Sequence, residues 1–428
     1  MSDLGKYQLP KGWAWATIPD ITGKAGVFID GDWVESKDQD PEGDVRLIQL
    51  ADVGDGVYRD KSNRYMTKTK AEQLGCTFLK EGDVLIARMP DPLGRACIFP
   101  GDAKPAVTVV DVAIARSSNG EFDHRWLACF VNAHPFRSAI FGLQAGSTRK
   151  RISRGNLATI PLPVPPRDEQ RRIVAEIEKQ FTRLEAGVSA LKRVQANLKR
   201  YRAAVLKAAC EGRIFPSDLS AWKQLKVWEI GEAITGNTPP TSDEENLGDE
   251  LPFFKPTDLD AGYNVREARQ YLSAKGAKLS RVLPAGAVLV TCIGATIGKT
   301  GFARVDCATN QQINALVVNP QIAIPQWAFL LFSSPVGQQQ IKNNASATTL
   351  PILNKSKFSA LEFPIPPLAE QVRIVAEVER RLSVVEELEA VVSANLQRAT
   401  RLRQSILQKA FTGELVSGIS PTIKQHKG

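Results

Sequence analysis

Four sets of residues in this sequence could do chemistry. Gly294-Ala295-Thr296-Ile297-Gly298-Lys299-Thr300 follows an apolar run and resembles a phosphate loop, in which backbone N–H groups and a lysine cradle an anion. The spacing is one residue short of G-x-x-x-x-G-K-[ST], so the segment reads as a tight strand-to-strand turn ending in an exposed Lys299. Pro19-Asp20 followed by Glu35-Ser36-Lys37 fits a nuclease pattern, with two carboxylates for Mg²⁺ and a lysine to orient water. Such a site needs its Glu and Lys on a buried strand, and residues 35–38 are polar enough to read as a solvated loop. His124, His134 and His426 are the histidines, and none is spaced with an acid or cysteine as in a triad or metal cluster. Cys76, Cys97, Cys129, Cys210, Cys292 and Cys307 contain no C-x-x-C pair and read as idle thiols of a reducing compartment. A glycine-rich S-adenosylmethionine loop and a [DN]-P-P-[YF] motif are both missing. The expectation is no catalytic residue and no metal site.

Binding is the better reading of the cations. Arg149-Lys150-Arg151-Ile152-Ser153-Arg154 puts four cations in six residues, just after Gly146-Ser147-Thr148. Small polar residues allow the backbone to approach phosphates, arginine can read guanine bidentately and lysine neutralises phosphate. A solvated charge run is the bland alternative. At the corresponding place further on, Thr348-Thr349-Leu350-Pro351-Ile352-Leu353-Asn354-Lys355-Ser356-Lys357 is less cationic and richer in hydroxyl and amide groups. Two such sites of different chemistry imply two different half-sequences of DNA. The candidate contacts are Ser147, Thr148, Arg149, Lys150, Arg151 and Arg154, with Thr348, Thr349, Asn354 and Lys355. Arg88 and Arg95 join the first set; Lys255, Lys299 and Gln311, with Asn310 and Gln312 beside it, join the second.

The chain has 428 residues with 43% apolar and 24% charged, which suits two to four folded domains and excludes a wholly disordered chain. Its formal charge of +9 favours acidic partners, of which nucleic acid is one. The apolar runs are too short for a membrane span and Met1 to Trp13 lacks a signal-peptide core, so a cytoplasmic protein is expected.

An internal repeat supplies the elements that must position these groups. Glu169-Gln170-Arg171-Arg172-Ile173-Val174-Ala175-Glu176 recurs as Glu370-Gln371-Val372-Arg373-Ile374-Val375-Ala376-Glu377, and the same shift pairs Leu206 with Leu407 and Gly212 with Gly413 without a gap. Each copy follows a proline run, Pro161 to Pro166 or Pro364 to Pro367, read as a stiff linker. Apolar residues then fall at helical spacing: Ile177, Phe181, Leu184, Val188, Leu191, Val194 and Leu198 in one copy, and Val378, Leu382, Val385, Val392 and Leu402 in the other. At about 1.5 Å per residue each helix is about 65 Å long. Stripes this long need a continuous partner, and antiparallel pairing with each other supplies one. On pseudo-twofold pairing, Asn395 in that seam lies opposite the neighbourhood of Ala186 and Gly187, as a polar register device. Gly82-Asp83-Val84-Leu85-Ile86 and Gly286-Ala287-Val288-Leu289-Val290 extend the repeat to the globules, as do Ile48 to Val53 and Phe254 to Leu259. The expected organisation is α+β: a mixed globule at 1–164, helix at 165–213, globule at 214–363, helix at 364–416 and a polar tail at 417–428.

The duplicated Pro-Pro, Glu-Gln-x-Arg-Ile-Val-x-Glu and terminal Gly motifs, with Gly-Asp-Val-Leu-Ile in the globule, resemble the specificity subunit of type I restriction-modification enzymes. The resemblance implies two target recognition domains, each reading half of a bipartite asymmetric DNA sequence, separated by an antiparallel helical spacer. It implies two methyltransferase subunits docked on that spacer, and restriction subunits, the ATP-dependent translocase and nuclease, joining them. S-adenosylmethionine, ATP and Mg²⁺ would then sit on the partners and none on this chain. The rival readings are a coiled-coil scaffold that binds only protein and a DNA-modifying enzyme with an unrecognised site.

Overall fold

The computed structural model describes residues 9–89, 92–118, 120, 122–146, 150–240, 242–346 and 350–416. The tail expected at 417–428 lies outside the described residues. The chain divides into two compact units, Met1–Ala190 with Asn395–Gly428, and Leu191–Ala394.

The repeat motif builds two helices of 44 residues each, Arg167–Cys210 and Leu368–Phe411. Each begins where the prolines end, and its first intrahelical bonds reach the last proline: Gln170 N–H donates to Pro166 O (2.9 Å) and Gln371 N–H to Pro367 O (3.0 Å). The side chains of the same glutamines are buried and do a second job. Gln170 Nε2 donates to Pro165 O while its Oε1 accepts from Asp123 N–H (2.9 and 2.8 Å). Gln371 Nε2 likewise donates to Pro366 O while its Oε1 accepts from Ile324 N–H (2.8 and 2.9 Å). The repeated Gln thus ties each long helix to the start of a globule helix, His124–Val131 or Pro325–Ser333. At the other end, Gly212 lies at φ 66° and Gly413 at φ 81°. Arg213 N–H donates to Ala208 O and Glu414 N–H to Lys409 O (2.8 and 3.0 Å), the closure that a left-handed glycine permits.

The proline runs are not linkers. Leu162–Val164 pairs antiparallel with Ala14–Ala16, and Glu362–Ile365 with Lys223–Lys226. Proline is tolerated there because these are two-stranded ribbons, where a missing N–H can face away from the partner.

In the first unit, strands Val27–Asp30, Val112–Arg116, Val84–Ala87 and Ala96–Ile98 lie side by side in that order, all antiparallel. The second unit repeats this with Gly231–Thr235, Ile313–Val318, Val288–Thr291 and Thr300–Phe302. Val84–Ala87 and Val288–Thr291 are buried along their whole length, which explains their continuous apolar runs. A smaller sheet with one parallel pair accompanies each: Val45–Ile48 beside Ala106–Thr108, and Leu251–Phe254 beside Ala308–Thr309. Two-unit mixed α and β structure with two long helices is the expected fold.

The core of each unit runs from globule to helix without a break. Trp126, Phe130 and Phe136 share one cluster with Ile173, Ile177, Leu407 and Phe411. Trp327, Phe332 and Phe358 share another with Val205, Leu206, Ile374 and Val378. That continuity is why the units divide inside the helices.

Within each unit the helical segments run antiparallel. Arg403 stacks over Phe181 at 4.0 Å and pairs with Glu185 at 3.4 Å in the first unit. Arg202 pairs with Glu386 and Glu389 at 3.2 and 3.6 Å in the second. These partners correct the expected register, because Arg403 beside Phe181 and Glu185 puts Gly187 level with residues 397–401 and not with Asn395. Asn395 itself is half-buried. Ile177, Leu198, Val378, Val385 and Val392 are buried, and Phe181, Leu184, Val188, Leu191 and Leu382 are half-buried. Val194 and Leu402, also expected in the seam, are 42% and 48% exposed. A straight helix drifts by about 20° per heptad from a strict 3.5-residue stripe, so positions chosen by continuing threes and fours rotate outward. No helix among the described residues is long and apolar enough to cross a membrane.

Candidate nucleic-acid interface

The two loops singled out by their chemistry are held in the same way. In the first unit, Ala145 and Arg151 exchange backbone hydrogen bonds of 2.8 Å each. Ser147, Thr148 and Arg149 lie outside the described residues. Ile152 is fully buried as an anchor; its N–H donates to Arg88 O (3.1 Å), and Arg88 N–H donates to Asp111 O (2.8 Å). Ser153 then caps the short helix Arg154–Ala158, its Oγ accepting from Asn156 N–H.

In the second unit, Ser346 N–H donates to Ile352 O (3.0 Å) and Leu353 is the buried anchor. Leu353 N–H donates to Cys292 O (2.8 Å), and Cys292 N–H to Gln312 O (2.7 Å). Asn354 caps Lys355–Ser359, its Oδ1 accepting from Lys357 N–H. Thr348 and Thr349 lie outside the described residues. The clasp, from anchor to the end of an inner strand to the neighbouring strand, with a cap one residue later, is therefore common to both units. What differs is the side chains it presents.

The basic side chains of the first loop divide into exposed and occupied groups. Lys150 and Arg151 are exposed, and Lys150 Nζ lies 5.4 Å from the centre of the exposed Phe141 ring. Arg154 is about half exposed, but its Nη1 donates to Phe28 O at 3.0 Å and its Nε is 3.8 Å from Asp30. Arg88 and Arg95 need correction as DNA contacts. Arg88 has a 13% exposed side chain, pairs with Asp30 at 3.0 Å and donates to Ile152 O and Val110 O. Arg95 is buried, and its guanidinium serves the carbonyls of Val53, Pro92 and Leu50. Buried guanidinium groups need such acceptors, and the sequence did not show that Leu50, Val53 and Pro92 would bring them.

In the second unit Lys255 and Gln311 come to one sheet end beside the clasp. Asn310 N–H donates to Phe254 O (3.3 Å), placing the Asn310-Gln311-Gln312 turn against Lys255. Lys255 is exposed, and its N–H donates to Asp258 Oδ2 (2.7 Å) in a turn matched by Gln49 N–H and Asp52 Oδ2 (2.7 Å) in the first unit. Gln311 Oε1 accepts from Thr238 Oγ1 at 2.7 Å, a hydroxyl that the sequence reading missed because its partner lies far along the chain. Lys355 is exposed on the first turn after its cap. Lys299 is corrected: it pairs with Asp260 at 2.6 Å and is only 24% exposed. Its glycines, Gly294 at φ 97° and Gly298 at φ 87°, serve the turn between strands Val288–Thr291 and Thr300–Phe302.

The rejected nuclease pattern has a local role. Asp20 closes a capping box with Thr17, and Glu35 pairs with Lys37 at 2.7 Å on the surface. Among the described residues no group of His, Cys, Asp and Glu is arranged to hold a metal ion.

These features agree with what is known of related chains. Residues 220–390 match the model of the type I restriction modification DNA specificity domain. The EcoBI specificity subunit of the type I restriction enzyme of Escherichia coli is 28% identical over 67% of this chain and 65% of its own length. The EcoKI specificity subunit of Escherichia coli strain K12 is 26% identical over 68% and 66%. The chain thus spans about two thirds of the length of these relatives. A chain from a type I R-M system solved to study complex assembly and conformational transition has the same fold, with a TM-score of 0.76 at 21% identity over 95% of this chain and 100% of that one. The HsdS subunit of Thermoanaerobacter tengcongensis gives a TM-score of 0.57 at 21% identity over 96% and 100%. With its duplicated helices, repeated clasp and matching domain, the chain is similar to the specificity subunits of type I restriction-modification enzymes.

Proposed function

We propose that this chain reads a two-part, asymmetric sequence of double-stranded DNA, one half with each unit. The supporting observation is the clasp: one backbone arrangement presents Lys150 and Arg151 in the first unit and Lys355 beside a neutral polar turn in the second. Identical frames with different side chains suit two half-sites that differ in sequence. Ser147, Thr148, Arg149, Thr348 and Thr349 are proposed as further contacts on the strength of their place in the sequence beside Lys150 and Leu350.

The chain works in the cytoplasm as a non-catalytic subunit. Two methyltransferase subunits dock on the long helices, and restriction subunits acting as ATP-dependent translocase and nuclease join them. S-adenosylmethionine, ATP and Mg²⁺ belong to those partners, while this chain supplies position. The test is to map methylated bases in the host genome with the gene intact and deleted. The expected result is a motif of two specified halves around an unspecified gap, lost on deletion. A genome whose methylation is unchanged by deletion would overturn the reading.

A further inference from the structure

The loop anchors are each held by a second bond, made by side chains, and the two units use different chemistry for it. In the first unit Arg88 Nη1 donates to Ile152 O at 3.2 Å, and the same guanidinium pairs through Nε with Asp30 Oδ1 at 3.0 Å. In the second unit Asn314 Nδ2 donates to Leu353 O at 3.3 Å, and Asn314 Oδ1 accepts from Thr235 Oγ1 at 2.7 Å. Ile152 and Leu353 are the equivalent buried anchors of the two recognition loops. Asp30 and Thr235 are also equivalent, each the last residue of the first sheet strand, paired with Ala113 and Asn314 in turn.

The donors are not equivalent, which makes the coincidence informative. Arg88 sits just beyond Val84–Ala87, where the second unit has the buried Cys292. Asn314 sits where the first unit has Ala113. A thiol cannot replace a guanidinium as a strong donor, and an alanine has no donor. Each unit has therefore placed one side-chain N–H on the same loop carbonyl from a different strand, and oriented it with the residue at the same strand end. The backbone bonds hold each anchor through its N–H, so the side-chain donor is what fixes the anchor's carbonyl.

We propose that Arg88 with Asp30, and Asn314 with Thr235, are equivalent positioning pairs that set the recognition loops of the first and second half-site. Neither pair touches DNA. Each fixes the direction in which its loop leaves the anchor, and hence which base edges the loop side chains reach. Base readout needs hydrogen-bond geometry that tolerates little displacement, so loss of a pair lowers discrimination more than overall affinity. The effect is confined to one half-site, because each pair serves one loop. This inference rests on the two-part reading of the preceding subsection.

The test uses the full chain purified with the subunits it assembles with, and duplexes carrying its own methylated motif or single base changes in either half. Wild-type discrimination against a single change is expected at about 5- to 150-fold. Thr235→Val removes the hydroxyl and keeps the shape; it should cut discrimination in one half to about a third or less and leave the other half unchanged, while thermal unfolding shifts down because the buried Asn314 Oδ1 loses its donor. Thr235→Ser restores the hydroxyl and should restore discrimination. Arg88→Met should affect the opposite half, and if it fails to fold, the Thr235 series decides. Undiminished discrimination in Thr235→Val, or equal loss in both halves, would overturn the positioning pairs while leaving the two-part reading intact. A wild-type motif without two halves would overturn both.

Discussion

Arg95 and Arg151 look alike in the sequence, and the fold gives them opposite roles. Arg151 faces solvent, whereas Arg95 is buried among the carbonyls of Val53, Pro92 and Leu50. Replacing Lys150 and Arg151 together with Ala should lower the slope of log affinity against log salt by about 2, since each phosphate contact contributes about 0.9. Titrating duplex binding across salt concentrations measures it, and an unchanged slope would remove both from the interface. Arg95→Met should leave that slope alone and destabilise the first unit by about 1–3 kcal/mol for each buried carbonyl left without a donor, read from urea unfolding. His124 adds a pH dependence. Burial holds its pKa below the ordinary 6.5, so the folded state prefers the neutral ring. The unfolded chain then binds the proton first, and the contribution of this residue is present above pH 6.5 and lost as pH falls through the folded value. His124→Gln should flatten the part of the acid destabilisation that begins near pH 6.5, as seen by unfolding at a series of pH values. At this scale the sequence shows which side chains are charged. It conceals which are occupied, because Arg88 and Ile152 meet across 64 positions and Arg95 and Val53 across 42.

The two long helices were the most legible elements, since the repeat, the proline boundary and the terminal glycine each act within a few residues. Their seam was less legible. The pattern of threes and fours includes Val194 and Leu402, yet both face outward, and the register from Asn395 to Gly187 gave way to one set by Arg403 with Phe181 and Glu185. Register depends on which of several apolar rows meets the partner, and local spacing does not choose among them. Ile177→Ala should cost about 2–5 kcal/mol, because it leaves a cavity under Trp126 and its neighbours. Val194→Ala and Leu402→Ala should each cost under about 0.5 kcal/mol. Thermal and urea unfolding of the three variants checks the order; equal losses would restore the sequence-derived seam. The Glu-Gln motif was legible as a signature but not as a mechanism. Its Gln bridges the proline run and a globule helix, a role that required the fold.

At the scale of the molecule, the two units share sheet order, clasp and cap while differing in the side chains they present, as the proposed reading of two different half-sites requires. The duplication was visible from the helices alone; the likeness of the globules was fainter because only turns and buried strands are kept, and these depend on burial more than on particular residues. Exchange of residues 1–164 for the corresponding segment of a similar specificity subunit tests the central claim most directly. The host carrying the exchanged chain is grown, and the methylated motif is read from its genome. Independent reading by the two units predicts a motif in which one half is replaced and the other half keeps every base. A motif in which both halves change, or neither does, would contradict it.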